Sequence, residues 1–149
     1  MTSEAHWRGL ERIYLAAPIN RNLTPSMTIG DGICTVSMSI SNSMHHTANA
    51  LHGSIYFKML DEAAFFAANS LEPKVFMLTS SFNTYLTRPV SEGVLRAEGK
   101  VVNQNRSQII SEAVVYNEQD KEIGRGSGLF VRSKIPLKNL PGYLSNKSE

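Results

Sequence analysis

Two carboxylates, Asp61 and Glu62, sit side by side in the run SIYFKMLDEAAFFAANSLEP, where almost every other neighbour is apolar. Burying a carboxylate is costly unless it is paired, hydrogen-bonded or near water, so both need an account. One partner is close in sequence: Lys58 lies three positions before Asp61 and four before Glu62, the spacing of ion pairs along a helix. The other account is chemical, because a carboxylate with a perturbed environment serves as a general base or a nucleophile.

At the start of the same run, His52, Gly53 and Ser54 supply a flexible backbone and unpaired amide donors at the positive end of a helix dipole. Such a terminus can hold the charge that develops on an oxyanion. Asp61 follows His52 by nine positions, and at about 100° per residue a helix carries the two to opposite sides. A site between two copies is therefore expected, with the Gly53 N–H from one and the Asp61 carboxylate from the other.

These residues need a helix to position them. Ala and Leu content, the absence of internal Gly or Pro, and the terminal Pro73 predict one of about four turns. Apolar side chains occur nearly all round it, the mark of a buried helix. Ahead of it, Trp7, Leu10 and Tyr14 at helical spacing predict an N-terminal helix within residues 1–20, followed by a polar loop. The alternation of Cys34, Val36, Met38 and Ile40 with polar neighbours predicts a first strand. Behind the long helix, Val75 to Leu86, Val94 to Asn103, Gln108 to Tyr116 and Ile123 to Arg132 read as four strands in an antiparallel meander. Residues 134–149, with Pro136, Pro141 and Gly142, read as an irregular tail. The expected class is α+β, one sheet wrapped around one central helix, in a single domain over residues 1–149. An all-round apolar helix is only partly covered by such a sheet, so a homo-oligomer is expected, a dimer or a dimer of dimers.

The segment ALHGSIYFKMLDEAAFFAANS, together with FNTYLTRPV and GRGSGLF, resembles the PaaI-like and THEM-like branch of the hotdog-fold acyl-CoA thioesterases, over roughly Thr35 to Val131. That branch carries His-Gly-Gly, six residues, then a catalytic Asp or Glu; His52, Gly53, Ser54 and Asp61 fill those places. The resemblance implies hydrolysis of an acyl-CoA thioester without metal or redox cofactor, coenzyme A entering only as part of the substrate. It implies that Gly53 N–H polarises the carbonyl, that Asp61 activates water or attacks directly, that His52 shapes the turn, and that Thr79 assists the water. Ser54 stands where the second glycine is usual, and its hydroxyl can cap the helix. His46 stands where Asn or Gln contacts the thioester, with Asn49 nearer the helix, so His46, Asn49 and Ser54 are the substrate-binding candidates. Arg88, Arg106, Arg125 and Ser127 are the candidates for the coenzyme A phosphates. Phe65, Phe66, Phe76, Met59 and Met77 can line an acyl pocket or simply form core.

Composition excludes other classes. The chain has 149 residues, 42% hydrophobic and 19% charged, which fits neither a disordered chain nor a membrane protein. A net charge of +2 with scattered basic residues gives no footprint for nucleic acid. No targeting segment or bilayer-spanning run is read, and the lone Cys34 points to a reducing compartment, so a cytoplasmic location is expected. His45, His46 and His52 share one loop without metal-ligand spacing, and no metal is expected. A hydratase or dehydratase using His52 and Asp61, and an acyl-CoA binding module without turnover, are the competing readings.

Overall fold

The apolar patterning resolves into two helices and one sheet in the computed structural model, which describes residues 1–145. Helix α1 (Ser3–Ala16) begins where the Thr2 hydroxyl accepts the Ala5 N–H at 3.1 Å. A short 3-10 turn, Pro18–Asn20, follows it. Strands β1 (Ser26–Gly30) and β2 (Ile33–Ser39) form a hairpin, and helix α2 runs from Gly53 to Asn69. Then come β3 (Val75–Leu86), β4 (Val94–Gln104), β5 (Gln108–Tyr116) and β6 (Glu122–Pro136). Every pairing is antiparallel, and the spatial order is β1-β2-β4-β5-β6-β3. The sheet wraps α2 in the hotdog arrangement.

The structure corrects the sequence reading at several points. The alternation from Cys34 belongs to the second strand, because β1 precedes it. That strand buries only Met27 and Ile29, too few inward positions for a period of two to stand out. The last four strands are not one meander either: β4, β5 and β6 are consecutive neighbours, whereas β3 lies beyond β6 at the sheet edge. The connection after β3 crosses the end of the sheet, tied by the Thr87 N–H to Ile123 C=O bond (2.9 Å) and the Leu51 N–H to Val90 C=O bond (2.8 Å). A short loop therefore does not imply adjacency here.

The C-terminal segment is also better anchored than an irregular tail. Strand β6 continues to Pro136, a 3-10 turn occupies Leu137–Asn139, and Leu137 and Tyr143 are buried. Residues 146–149 of that expected tail lie outside the described residues. Helix α2 is not covered on every side, since Phe57 is 42% exposed.

What seats α2 is the absence of a side chain. A Cβ on Gly99 in β4 would run into the backbone of Ala63 and Ala64, so helix and strand meet backbone to backbone. Ala63, Ala64, Ala67 and Ala68 are accordingly fully buried. The two sheet edges differ. At β1 the Ile29 carbonyl accepts from Arg8 Nη2 at 2.6 Å, and its N–H donates to Glu11 Oε2 at 2.8 Å, so α1 closes that edge. Along β3, Leu78, Tyr85 and Leu86 are exposed, and among the described residues no segment pairs with the outer edge. No helix of the described residues is long and apolar enough to cross a membrane.

Substituting Gly99→Ala is expected to lower stability by about 1–3 kcal/mol through overpacking. Urea unfolding measures it, and an unchanged midpoint would contradict the backbone contact.

Candidate active site

The first turn of α2 is organised by His52. It takes the N-cap position with φ −64° and ψ 140°, and its Nδ1 accepts the Ser54 N–H at 3.0 Å. The Ser54 hydroxyl lies 2.8 Å from the same nitrogen. The cap is thus the imidazole and not the Ser54 hydroxyl, because the ring folds back over the turn that it opens. The Ile55 N–H is taken by the His52 carbonyl at 3.0 Å. Among the described residues no acceptor meets the Gly53 N–H, which remains a donor at the positive end of the helix. It opens onto a cavity of about 280 Å³ that also touches His46, Tyr56, Leu86 and Arg88.

Further along α2, the two carboxylates separate in role. Lys58 bonds Glu62, with Nζ to Oε1 at 2.8 Å and to Oε2 at 2.9 Å, and it also donates to Asn20 Oδ1 at 2.7 Å. The Tyr14 hydroxyl from α1 donates to Glu62 Oε1 at 3.0 Å. Of the two acids at Lys58 spacing, Glu62 has the cation. Asp61 faces β3 instead and accepts the Thr79 hydroxyl at 2.9 Å. The β3–β6 register shifts between Thr79 and Ser81, an irregularity of the kind that re-aims a side chain.

Burial pushes the Asp61 carboxyl above its ordinary range, and the Thr79 hydrogen bond pulls partly back. Burial also raises Glu62, against the hydrogen bond and charge of Lys58. Both acids border a larger cavity of about 660 Å³, with Phe65, Phe66, Phe76 and Leu78 among its apolar walls. The arrangement offers a desolvated acid that can take a proton, an adjoining hydroxyl, and an apolar space beside them.

The sequence candidates do not all converge. Asp61 and Thr79 meet at one cavity, and Gly53, His46 and Arg88 meet at another. Asn49 occupies a tight turn with φ +63°, its N–H bonded to the His46 carbonyl. Arg125 is held by Glu122 at 2.6 and 2.9 Å and shares with Ser127 a third cavity, of about 300 Å³. The Arg106 carbonyl accepts from Arg132 in the β4–β5 turn. Arg132 lies nine positions along β6 from Ile123, whose carbonyl accepts the Thr87 and Arg88 N–H, so Arg106 and Arg88 lie toward opposite ends of that strand. Among the described residues no three His, Cys, Asp or Glu side chains converge as metal ligands would. His45 Nε2 donates to the Ser91 carbonyl, and His46 Nδ1 accepts the Ala48 N–H.

Sequence reasoning missed the contact of Tyr14 and Asn20 with the Glu62–Lys58 pair, and the part of Leu140 and Pro141 in the larger cavity. Lys58–Glu62 spacing was a local signal; the others join segments far apart in the chain.

Comparison with known proteins identifies the family and agrees with the fold. The family model of the thioesterase superfamily matches residues 48–123, which include α2 with Gly53 and Asp61. The chain belongs to the thioesterase superfamily, and thioester hydrolysis is the class of chemistry that membership assigns. Among solved structures it is similar to the PaaI protein of E. coli from the phenylacetic acid degradation operon, at 20% identity and TM-score 0.82, covering 91% of this chain and 99% of that one. A thioesterase from Haemophilus influenzae is similar at 14% identity and TM-score 0.73, covering 92% of each chain. A thioesterase family protein from Silicibacter pomeroyi reaches 22% identity and TM-score 0.73 over 83% of this chain and 96% of its own. No curated protein sequence matches the chain.

The two carboxylates differ in what they do for stability. The raised folded pKa of both acids means that each contributes stability below the ordinary carboxylate range and loses it as pH rises through the raised value, but only Glu62 also holds a cation that its removal would strand. At neutral pH, Asp61→Asn is therefore expected to leave Tm unchanged or higher. Glu62→Gln strands the Lys58 charge and is expected to cost about 2–3 kcal/mol. Thermal unfolding of both variants at pH 7 distinguishes them, and equal losses would refute the assignment.

Proposed function

We propose that the chain hydrolyses an acyl-CoA thioester to the free acid and coenzyme A, at sites shared between two copies. The observation that carries this reading is that the amide donor and the isolated acid of α2 open into separate cavities. Gly53 and Asp61 are eight positions apart on the helix, about 12 Å along its axis. A base and an oxyanion donor must both lie about 3 Å from the reacting group. One copy therefore does not bring them onto the same carbonyl.

The open edge of β3 supplies the way two copies can meet. An antiparallel β3–β3 pair centred between Phe82 and Asn83 sets Thr79 of one copy opposite Leu86 of the other. Thr79 marks the Asp61 end, and Leu86 Cδ1 lies 3.0 Å from where a Cβ on Gly53 would stand. Such pairing joins the Asp61 end of one copy to the Gly53 end of the next, and the two-fold relation makes two sites.

In the reaction, water attacks the thioester carbonyl while Asp61 takes its proton. The Gly53 N–H holds the oxygen that becomes negative, and Thr79 steers the carboxylate. Collapse breaks the C–S bond, and the proton passes from Asp61 to the departing thiolate. In the direct variant the Asp61 carboxylate itself attacks, and water then hydrolyses the resulting anhydride. His46 borders the Gly53 cavity and is suited to donate to the thioester, and Arg88 there is suited to a coenzyme A phosphate.

Asp61→Ala is expected to reduce thiol release from acyl-CoA by about 100-fold or more. Gly53→Pro removes the amide donor at a first-turn position that tolerates proline, and His52 already has the extended backbone that proline requires before it. Each variant alone is expected to be inactive, and mixing them to restore part of the activity in heterodimers. Absence of rescue in verified heterodimers would rule out the shared site. Because the base works deprotonated, the acidic limb of kcat/KM is expected above the ordinary aspartate range; a limb within that range argues against Asp61 as the group.

A further inference from the structure

The cavity beside Asp61 is walled by chain outside the region that matches the family. The match covers residues 48–123, whereas two segments outside it also line the cavity, Ile13, Tyr14, Ala17 and Pro18 as a first wall and Leu140 and Pro141 as a second. The second wall is latched in place. Arg12 in α1 donates from Nε to the Gly142 carbonyl at 2.8 Å and from Nη2 to the Tyr143 carbonyl at 2.7 Å. The Tyr143 hydroxyl donates to His6 Nδ1 at 2.7 Å, and His6 Nε2 donates to the Asn69 carbonyl at the end of α2, 2.9 Å away. Burial lowers the His6 pKa and favours this neutral arrangement.

Local backbone chemistry serves the same latch. Gly142 takes φ +95°, a left-handed conformation that glycine adopts freely. A Cβ on Gly9 would stand 2.8 Å from a Tyr143 ring carbon, so the missing side chain makes room for the ring. Leu140 and Pro141 directly precede this anchored pair.

We infer that this cavity seats the acyl group of the thioester, and that the latched Leu140–Pro141 segment with Ala17 sets the acyl size, selecting an uncharged apolar group of medium-chain or aryl dimensions. The inference rests on the assignment of Asp61 as the acid that acts on the thioester. Its cavity is about 660 Å³, within the ordinary range for small-molecule sites. Phe65, Phe66 and Phe76 give it an aromatic wall, with ring centroids of neighbouring pairs 4.9 and 5.0 Å apart. Among the described residues the lining includes two acids and no Lys, Arg or His, and Lys58 behind it is already held by Glu62 and Asn20, so a carboxylate on the acyl group would meet repulsion at Asp61 and no free counter-ion.

The test is a thiol-release panel of hexanoyl-, decanoyl-, palmitoyl-, phenylacetyl- and glutaryl-CoA with the wild type, Leu140→Ala, Ala17→Phe and Asp61→Ala. Decanoyl- or phenylacetyl-CoA is expected to be the best wild-type substrate and glutaryl-CoA the poorest. Relative to wild type, Leu140→Ala is expected to raise the palmitoyl-to-hexanoyl ratio of kcat/KM by about tenfold, and Ala17→Phe to lower it by about tenfold. If Leu140→Ala fails to fold, Ala17→Phe carries the size test. Unchanged ratios in the folded variants, or glutaryl-CoA as the preferred substrate, overturn the acyl-pocket assignment while loss of activity in Asp61→Ala leaves the hydrolase reading standing. Full activity in Asp61→Ala overturns that reading and this one with it.

Discussion

Backbone contact between α2 and β4 at Gly99 determines how deep every group on the helix lies. With no side chain between them, the helix settles onto the sheet along its buried alanines, and its polar residues go with it. Two neighbouring acids are then drawn out of water together. Burial raises both carboxyls, but Glu62 is offset by Lys58 and Tyr14, whereas among the described residues Asp61 has a single hydroxyl partner. Seating the helix less deeply would rehydrate both acids and relax that rise.

The same helix offers opposite physics at Gly53 and at Asp61. Among the described residues its N-terminus presents an unpaired N–H in a small cavity with His46 and Arg88, while Asp61 looks into a larger apolar one. The sheet edges are as unequal as the helix positions. Arg8 and Glu11 occupy the free backbone groups of β1, whereas β3 leaves its edge and several apolar side chains open. An asymmetric pair of edges favours one mode of pairing between copies over open-ended growth.

Around the matched region, the chain adds its own boundaries. Helix α1 and the segment from Leu137 to Tyr143 lie outside residues 48–123, yet they meet through Arg12 and His6 and close over the cavity at Asp61. The cavity at Asp61 is thereby walled in part by segments of the chain other than the helix that carries the acid.

Local physics made much of this readable in the residues alone. The buried helix, the Lys58–Glu62 spacing, the donor turn at Gly53 and the strands from Val75 onward follow from periodicities and pairings within a few positions. The α+β class and the thioesterase family were legible from the same stretch. What the sequence could not determine depended on where distant segments come to rest. Whether Lys58 turns to Asp61 or Glu62 was decided by Tyr14 and Asn20 packing beside it, and the place of β3 by a connection crossing the sheet end. Burial of Leu137 and Tyr143 likewise turned a stretch rich in chain breakers into an anchored wall. These are contacts between residues tens of positions apart, and loop closure leaves no periodic trace in the sequence.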